Sequence, residues 1–510
     1  MTDWTEGYVA DIGYTYGYYN ELNPLHARLA FANAGLAAPV KGPACELGFG
    51  QGVSINIHAA ASDTAWYGND FNPAQVAHAQ ELARSNPQPP TLSDQSFAEF
   101  CSRDDLPEFA FVGLHGIWSW ISDENRAVLV DFLRRKLMVG GIVYVSYNAQ
   151  PGWATFVPVR QLITRYAESL AAQGGIVKRI DGAFDFMQKL LATDPVYARA
   201  NPQVGQRMKA VAEQGRHYLA HEYFNRDWLP MDFLAASDWL TPAKLTFGCS
   251  ATYLDHVPSI NLTAPQQQFL MEMSDPTLRE ATRDFMVSQQ FRRDYWVKGA
   301  RALSPLARAQ ALRAHRLVLT SYRPDIKLKV KGPVGEADMA EAIYSPLLDL
   351  LADHAPRTVA EIESALLPKG IKLDQILQSL IVLAGLGHIG PAQDPAQCAK
   401  ARPRVDKLNN FILERAVISS DIGTLASPVT GGGVVASSIE QLMLLALQRG
   451  AKTPEEWARI VWGILSARGE RIVKNGAPLA TPEENIADLT ETGRQFQMKR
   501  LPMFKALQIA

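Results

Sequence analysis

The stretch that decides the fold is ELGFGQG, Glu46 to Gly52. It follows PACEL (43–47), a short strand candidate, and precedes VSINIHAAA (53–61), which reads as a helix. Glycines at 48, 50 and 52 give GxGxG; the dinucleotide fingerprint GxGxxG would need a glycine where Val53 stands. A second strand, AWYGND, ends at Asp70, twenty residues past Gly50, and Asn72-Pro73 opens another helix. Strand, helix, strand, helix is the signature of a parallel sheet with crossover helices. An acid at the end of the second strand can accept hydrogen bonds from both hydroxyls of a ribose, and the glycines let the backbone approach a ligand closely. Glu46 narrows the choice, because a carboxylate beside a pyrophosphate is repelled while a cationic amino-acid cofactor tolerates it. These features favour S-adenosylmethionine over NAD. The bland alternative is a tight strand–helix turn with no ligand.

The same alternation continues outward. Upstream, Asn23 caps and Pro24 opens a helix through NPLHARLAFANAGL. Downstream, a third strand is expected near PPTLSDQ (89–95) and a fourth in FAFVGL (109–114), apolar enough to be buried on both faces. The fourth ends in HGIWSW (115–120), and Ser122 caps the helix DENRAVLVDFLRRKLM (123–138), which Gly140-Gly141 stop. IVYVSYN (142–148) is a fifth strand, and LTFGCSATY and FRRDYWVKG (291–299) are further strand candidates. Between IVYVSYN and LTFGCSATY, residues 158–219 read as helices, a lid or a dimer surface.

This pattern resembles the class I S-adenosylmethionine-dependent methyltransferases. Three longer stretches carry a closer resemblance: YVADIGYTYGYYNELNP (8–24), HGIWSW with GGIVYVSYNAQPGW (115–120, 140–153), and HYLAHEYF with FRRD (217–224, 291–294). They are similar to bacterial methyltransferases that carry a so-called regulatory domain, a group that includes rickettsial protein-lysine methyltransferases. The resemblance covers roughly the first three hundred residues well and the rest loosely. It implies that Glu46, Gly48, Phe49 and Gly50 cradle the methionine part, that Asp70 holds the ribose and that Phe71 stacks on adenine. Ser96 and Phe97 stand where the family usually has an acidic and a small residue. Tyr14, Tyr16, Tyr18 and Tyr19 are expected to fold over the cofactor, and the dimer reading leans on the same resemblance.

Methyl transfer is an in-line displacement at a sulfonium carbon, and no metal is needed. The protein must align the nucleophile, exclude water and, for a lysine amine with a pKa of about 10.4, let a proton leave. Ligands of open parallel sheets bind beyond the carboxyl ends of the strands, which selects His115, Tyr147 and Asn148, with Tyr16 from the tyrosine run. His115 is the best general-base candidate; a positional role is the alternative. Trp118, Trp153, His221, Glu222 and Tyr223 are candidates to line the acceptor. Against them, Trp118 and Trp120 are spaced like a turn packing into a core, and His221-Glu222-Tyr223 could be a hinge or a helix start. HEYF lacks the second histidine of HExxH, which excludes zinc hydrolysis of that type, and GLHGIW stands where an [ND]PPY loop for amide methylation would be.

The chain of 510 residues suggests about three domains. The expected organisation is an α/β fold. Its Rossmann-like methyltransferase domain spans 1–157 and 220–300, with a helical insertion at 158–219. A middle domain with a winged-helix-like part follows at 301–400, and a mostly helical C-terminal domain at 401–510. In the middle domain, Lys327, Lys329 and Lys331 alternate with apolar residues as in an exposed strand that KGPVGE breaks. The third helix there, LDQILQSLIVL, offers two glutamines and no basic residue, so protein contact is favoured over DNA binding. QDPAQCAKARPRV is read as a linker, PVTGGGV (428–434) as a flexible turn, and Thr453/Glu456 and Thr481/Glu484 as capping boxes. A net charge of −2 gives no field for nucleic acid, and no apolar run reaches 18 residues, so no membrane insertion is expected. Four scattered cysteines without a CxxC fit the cytoplasm, and the N-terminus lacks signal-peptide features. The expected activity is methylation of protein lysines, with the C-terminal domains presenting the substrate. An O- or N-methyltransferase of a sugar or small metabolite, and a non-catalytic S-adenosylmethionine sensor, stay open as alternatives.

Overall fold

The computed structural model describes residues 5, 8, 15–170 and 174–510. Its centre is a seven-stranded sheet in the order β3-β2-β1-β4-β5-β7-β6. The strands are β1 (Ala44–Leu47), β2 (Trp66–Asp70), β3 (Thr91–Asp94), β4 (Phe109–Leu114), β5 (Leu137–Asn148), β6 (Leu245–Ser250) and β7 (Phe291–Lys298). The first five are parallel, and β7 runs antiparallel between β5 and β6. The order reverses between β1 and β4, so the crevice at their carboxyl ends is where a ligand belongs in such a sheet.

Local chemistry sets the helices around it. Asn23 accepts Leu25 N at 2.9 Å and Pro24 opens α1 (Pro24–Asn33). Asn72 does the same for Ala74 N at 3.0 Å at the start of α3 (Pro73–Ala83), after α2 (Val53–Ala61). Each such cap stabilises its helix by about 1 kcal/mol. Ser96 and Glu99 form a reciprocal capping box on α4 (Phe97–Cys101), and Ser122 accepts Asn125 N at the start of α5 (Asp123–Lys136). The α5 helix stops two residues before the expected Met138. Leu137 already pairs with Phe109 as strand, and Gly140, with φ +81°, sits in an irregularity of β5 rather than ending a helix.

Between β5 and β6 the chain forms α6 (Val157–Ser169), α7 (Ile176–Ala192), α8 (Val196–Ala200), α9 (Gln203–Ala212) and α10 (Arg216–Tyr223). Phe156, Ile163, Ile180, Phe184, Met187 and Leu219 give these helices an apolar core of their own. The chain then returns to the sheet through α11 (Phe233–Leu240).

Past β7, a three-stranded sheet has strand 316–319 at its centre, flanked by 357–358 and 389–391, with helices 341–350, 359–366 and 373–385 beside it. The lysine-alternating stretch is one arm of a hairpin, 329–332 with 335–338, and KGPVGE is its turn. The expected linker is instead part of a helix, Pro395–Arg415. Its prolines do not act as breakers there, since Pro395 occupies the first turn, where no N–H is needed, and Pro403 is carried inside the helix. Both predicted capping boxes are present. PVTGGGV is a turn, but a buried one, joining strands Thr424–Ser427 and Gly432–Val435.

That helix and hairpin press on α2, all nine residues of which are buried. Arg404 donates to Ala60 O, Ser62 O and Asp63 Oδ1, and Gln393 Nε2 donates to Ala61 O at 2.7 Å. A guanidinium on the free carbonyls of a helix C-terminus satisfies them and meets the negative end of the helix dipole. Among the described residues, no helix is long and apolar enough to cross a membrane.

Candidate functional site

A cavity of about 1270 Å3, counted with its open mouth, lies at the carboxyl ends of β1, β2 and β4. The glycine loop forms its floor. Gly48, Gly50 and Gly52 all have φ between +58° and +71°, the left-handed region open to glycine. Gly48 N and Phe49 N donate to Asn69 O, which ties the loop to the end of β2. A β-carbon on Gly48 would lie 2.5 Å from Ile117 Cδ1, so a side chain there would close the floor.

Glu46 and Asp70 stand on either side of this loop and both line the cavity. Asp70 Oδ2 accepts Gly50 N at 2.8 Å and Oδ1 accepts Asn72 N at 2.9 Å. Burial pushes the Asp70 carboxyl up to about 7, against those two N–H groups, which pull it down. Glu46 is pushed up to about 8, by burial first and by the charge of Asp70 second, and its Oε2 is buried with no hydrogen-bond partner. A buried acceptor without a partner costs about 1–3 kcal/mol, which a donor or cation placed beside it recovers. Two carboxyls held this way fit a ligand that brings hydroxyls to one and positive charge to the other.

The remaining walls divide by chemistry. Phe71, Ser96 and Phe97 lie with Asp70 at one end, where Tyr8 meets Phe71 edge-on at 5.6 Å between ring centres. At the other end Tyr19 stacks on His115 at 3.5 Å. His115 Nδ1 is 2.9 Å from Tyr144 Oη, and burial, followed by Arg293, drives the imidazole down to about 3. A ring that weakly basic is neutral and a poor acceptor for the proton of an ammonium group. The stacking on Tyr19 and the hydrogen bond to Tyr144 favour the positional reading of His115 over the general-base one.

Several other expected site residues lie outside the lining. Tyr147 points to the opposite face of the sheet and donates to Asp294 Oδ2 at 3.2 Å; Arg292 bridges that carboxylate to Asp284. Strand alternation explains it, since the neighbouring Ser146 is the residue that faces the site side and accepts Gly116 N. Asn148 is covered, its N donating to Ser119 Oγ and its O accepting Met231 N. Trp118 is core, with its indole N–H on Met231 S at 3.3 Å. Tyr16 packs on His78, away from the cavity. Trp153 lies under Arg207 at 3.6 Å, and Tyr223 packs on Trp153 and Phe156 within the helical insertion. His221 sits behind Tyr8, at 5.4 Å between ring centres, and Glu222 acts on Tyr8 and Tyr19 through its charge. Tyr14 lies outside the described residues.

The structure adds lining residues that sequence reasoning did not single out, Tyr8, Thr15, Gln75, Asn225 and Asp227, and puts Trp120, read with Trp118 as core, in the lining. Asn225 and Asp227 follow HEYF directly. The motif was the visible signal, and the side chains that line the cavity lie just past it.

With this geometry in view, the relatives can be placed. The family described as a predicted methyltransferase regulatory domain matches residues 215–298, which include Asn225, Asp227, β6 and β7. An uncharacterized protein of Synechocystis sp. is 38% identical over 512 aligned residues, covering 99% of this chain and 100% of its own. An uncharacterized Rickettsia prowazekii protein is 23% identical over 287 residues, 54% of this chain and 49% of its own. Among solved structures, PKMT2 from Rickettsia typhi in complex with AdoHcy has the same fold. Its TM-score is 0.70 at 16% identity, with 98% of this chain and 100% of that one covered.

Proposed function

We propose, from the premise that the chain belongs to the S-adenosylmethionine-dependent methyltransferases that carry a methyltransferase regulatory domain, that its methyl acceptor is a lysine side chain of a protein. S-adenosylmethionine supplies a methyl group on a sulfonium, so the protein's task is alignment and desolvation. Glu46 and the glycine loop would hold the amino-acid end, Asp70 the ribose, and Phe71 with Tyr8 the adenine.

The observation that carries the lysine reading is the chemistry of the lining. Trp120, Tyr19 and Asp227 are all in the cavity lining, two aromatic rings and a carboxylate, a set that attracts an ammonium group. His115, held neutral, adds no positive charge to repel it. The net charge of −2 gives no general attraction for nucleic acid.

The test is incubation with methyl-labelled S-adenosylmethionine and size-fractionated lysate, followed by mass spectrometry of the labelled species. Label on lysine in protein is the expected result. Label confined to small molecules would replace this reading with a metabolite methyltransferase.

A further inference from the structure

Along the strap Thr15–Tyr19, residues alternate between the cavity and the opposite side. Thr15, Gly17 and Tyr19 line the cavity. Tyr16 and Tyr18 face the other way and pack on the apolar cluster that α2 shares with the C-terminal third. The backbone of Tyr19 is held by α2: its N donates to Ser54 Oγ at 3.0 Å, and His58 Nε2 lies 3.4 Å from its O. Tyr18 is boxed between His58, at 5.1 Å between ring centres, and the buried turn of PVTGGGV.

That turn is shaped to receive it. A β-carbon on Gly432 would collide with Tyr18 Oη and lie 2.8 Å from Asn23 Nδ2. One on Gly433 would lie 2.9 Å from Tyr18 Cζ. Asn23, which caps α1 just beyond the strap, donates to Thr430 O and Gly431 O in the same turn. Among the described residues the strap pairs with no strand, so its register rests on its contacts with α2 together with what holds Tyr18, and a slip of one residue would turn Tyr19 out of the cavity and Tyr18 in.

We propose that the hairpin 424–435 is a positioning element of the cofactor site. By gripping Tyr18 and Asn23 it sets the register of the strap and so places Tyr19 against His115. The C-terminal third then belongs to cofactor binding, whatever the acceptor is. Gly432 and Tyr18 are positioning residues, since neither lines the cavity.

The test is calorimetric binding of S-adenosylhomocysteine to the full chain, with melting temperature followed in parallel. Gly432→Ala is expected to weaken binding about tenfold with little change in melting temperature. Adding Tyr18→Phe, which deletes the nearer of the two colliding atoms and leaves Asn23 Nδ2 at 2.8 Å, is expected to restore part of the lost affinity. Gly423→Ala, immediately before the hairpin and with open space around it, should bind normally. If Gly432→Ala does not fold, Tyr18→Ala leaves the hairpin intact and is expected to show the same tenfold loss. Wild-type affinity in Gly432→Ala or Tyr18→Ala, or a loss in Gly432→Ala that Tyr18→Phe does not relieve, overturns the proposal.

Discussion

Glu46 makes cofactor binding sensitive to pH in a direction that can be worked out. In the free protein its carboxyl sits at about 8, raised by burial and then by Asp70. A ligand that places positive charge against Oε2 selects the carboxylate, so binding releases a proton. At about pH 6 only about one molecule in a hundred has this carboxyl ionised, and reaching that form costs about 2.7 kcal/mol. Affinity for S-adenosylmethionine should therefore rise about a hundredfold between about pH 6 and pH 9, levelling above 8. Asp70, at about 7, adds to the slope in the same direction at the acid end. The assay is titration calorimetry across this range, in two buffers of different ionisation enthalpy so that released protons are counted. Glu46→Gln removes the titrating group; its profile should be flatter, with about one proton fewer released near pH 6.5. A wild-type affinity that is flat with pH, or a slope that survives unchanged in Glu46→Gln, would refute the reasoning.

Three further outcomes are expected. In the free protein the raised carboxyls act on stability in the opposite sense: their contribution is whole below the ordinary carboxyl range and is lost as pH rises through about 7 to 8. The melting temperature should accordingly fall over that window, less so in Glu46→Gln, and an unaltered fall in that variant would count against the assignment. Asp70→Ala should weaken cofactor binding by about 1.5–3 kcal/mol per charged hydrogen bond lost, read as dissociation constant, whereas an unchanged constant would remove Asp70 from the site. Tyr147→Phe should cost about 1 kcal/mol of stability through the lost bond to Asp294 and leave turnover unaltered; a large fall in kcat at constant stability would return Tyr147 to the reaction.

The glycine loop, Asp70 and the first strands were legible because each has a local cause: a positive φ, an acid at a strand end, an Asn-Pro cap. The fourth and fifth strands followed from apolar runs between turn signals, whereas the sixth and seventh were placed because the resembled fold needs them, and the third, Thr91–Asp94, is too exposed to show such a run. Tyr147 and Asn148 were misplaced because the carboxyl end of a strand predicts proximity, while pleat parity and the chain that covers the strand decide which side chains reach the cavity. Asp227 and Asn225 were invisible, since they approach from a segment more than a hundred residues past the strands they face. The linker was misread because two prolines in a polar stretch look like breakers unless the helix N-terminus is known. The buried glycine turn could not be read from its own composition, because its partner, Tyr18, lies some four hundred residues away.

The burial of α2 has a consequence for how the protein comes into being. This helix leaves the ribosome at Ala61, but the helix and hairpin that cover its outer face begin at Pro395. At about 5–20 residues per second, an interval of roughly a quarter of a minute to a minute separates them. Through that interval the nascent chain carries an apolar helix face uncovered, and the strap has no turn to grip. The same exposure would greet any truncation before Pro395. A catalytic half made alone should need a chaperone or a solubilising partner, and Tyr18 meets its turn only once the hairpin has been made.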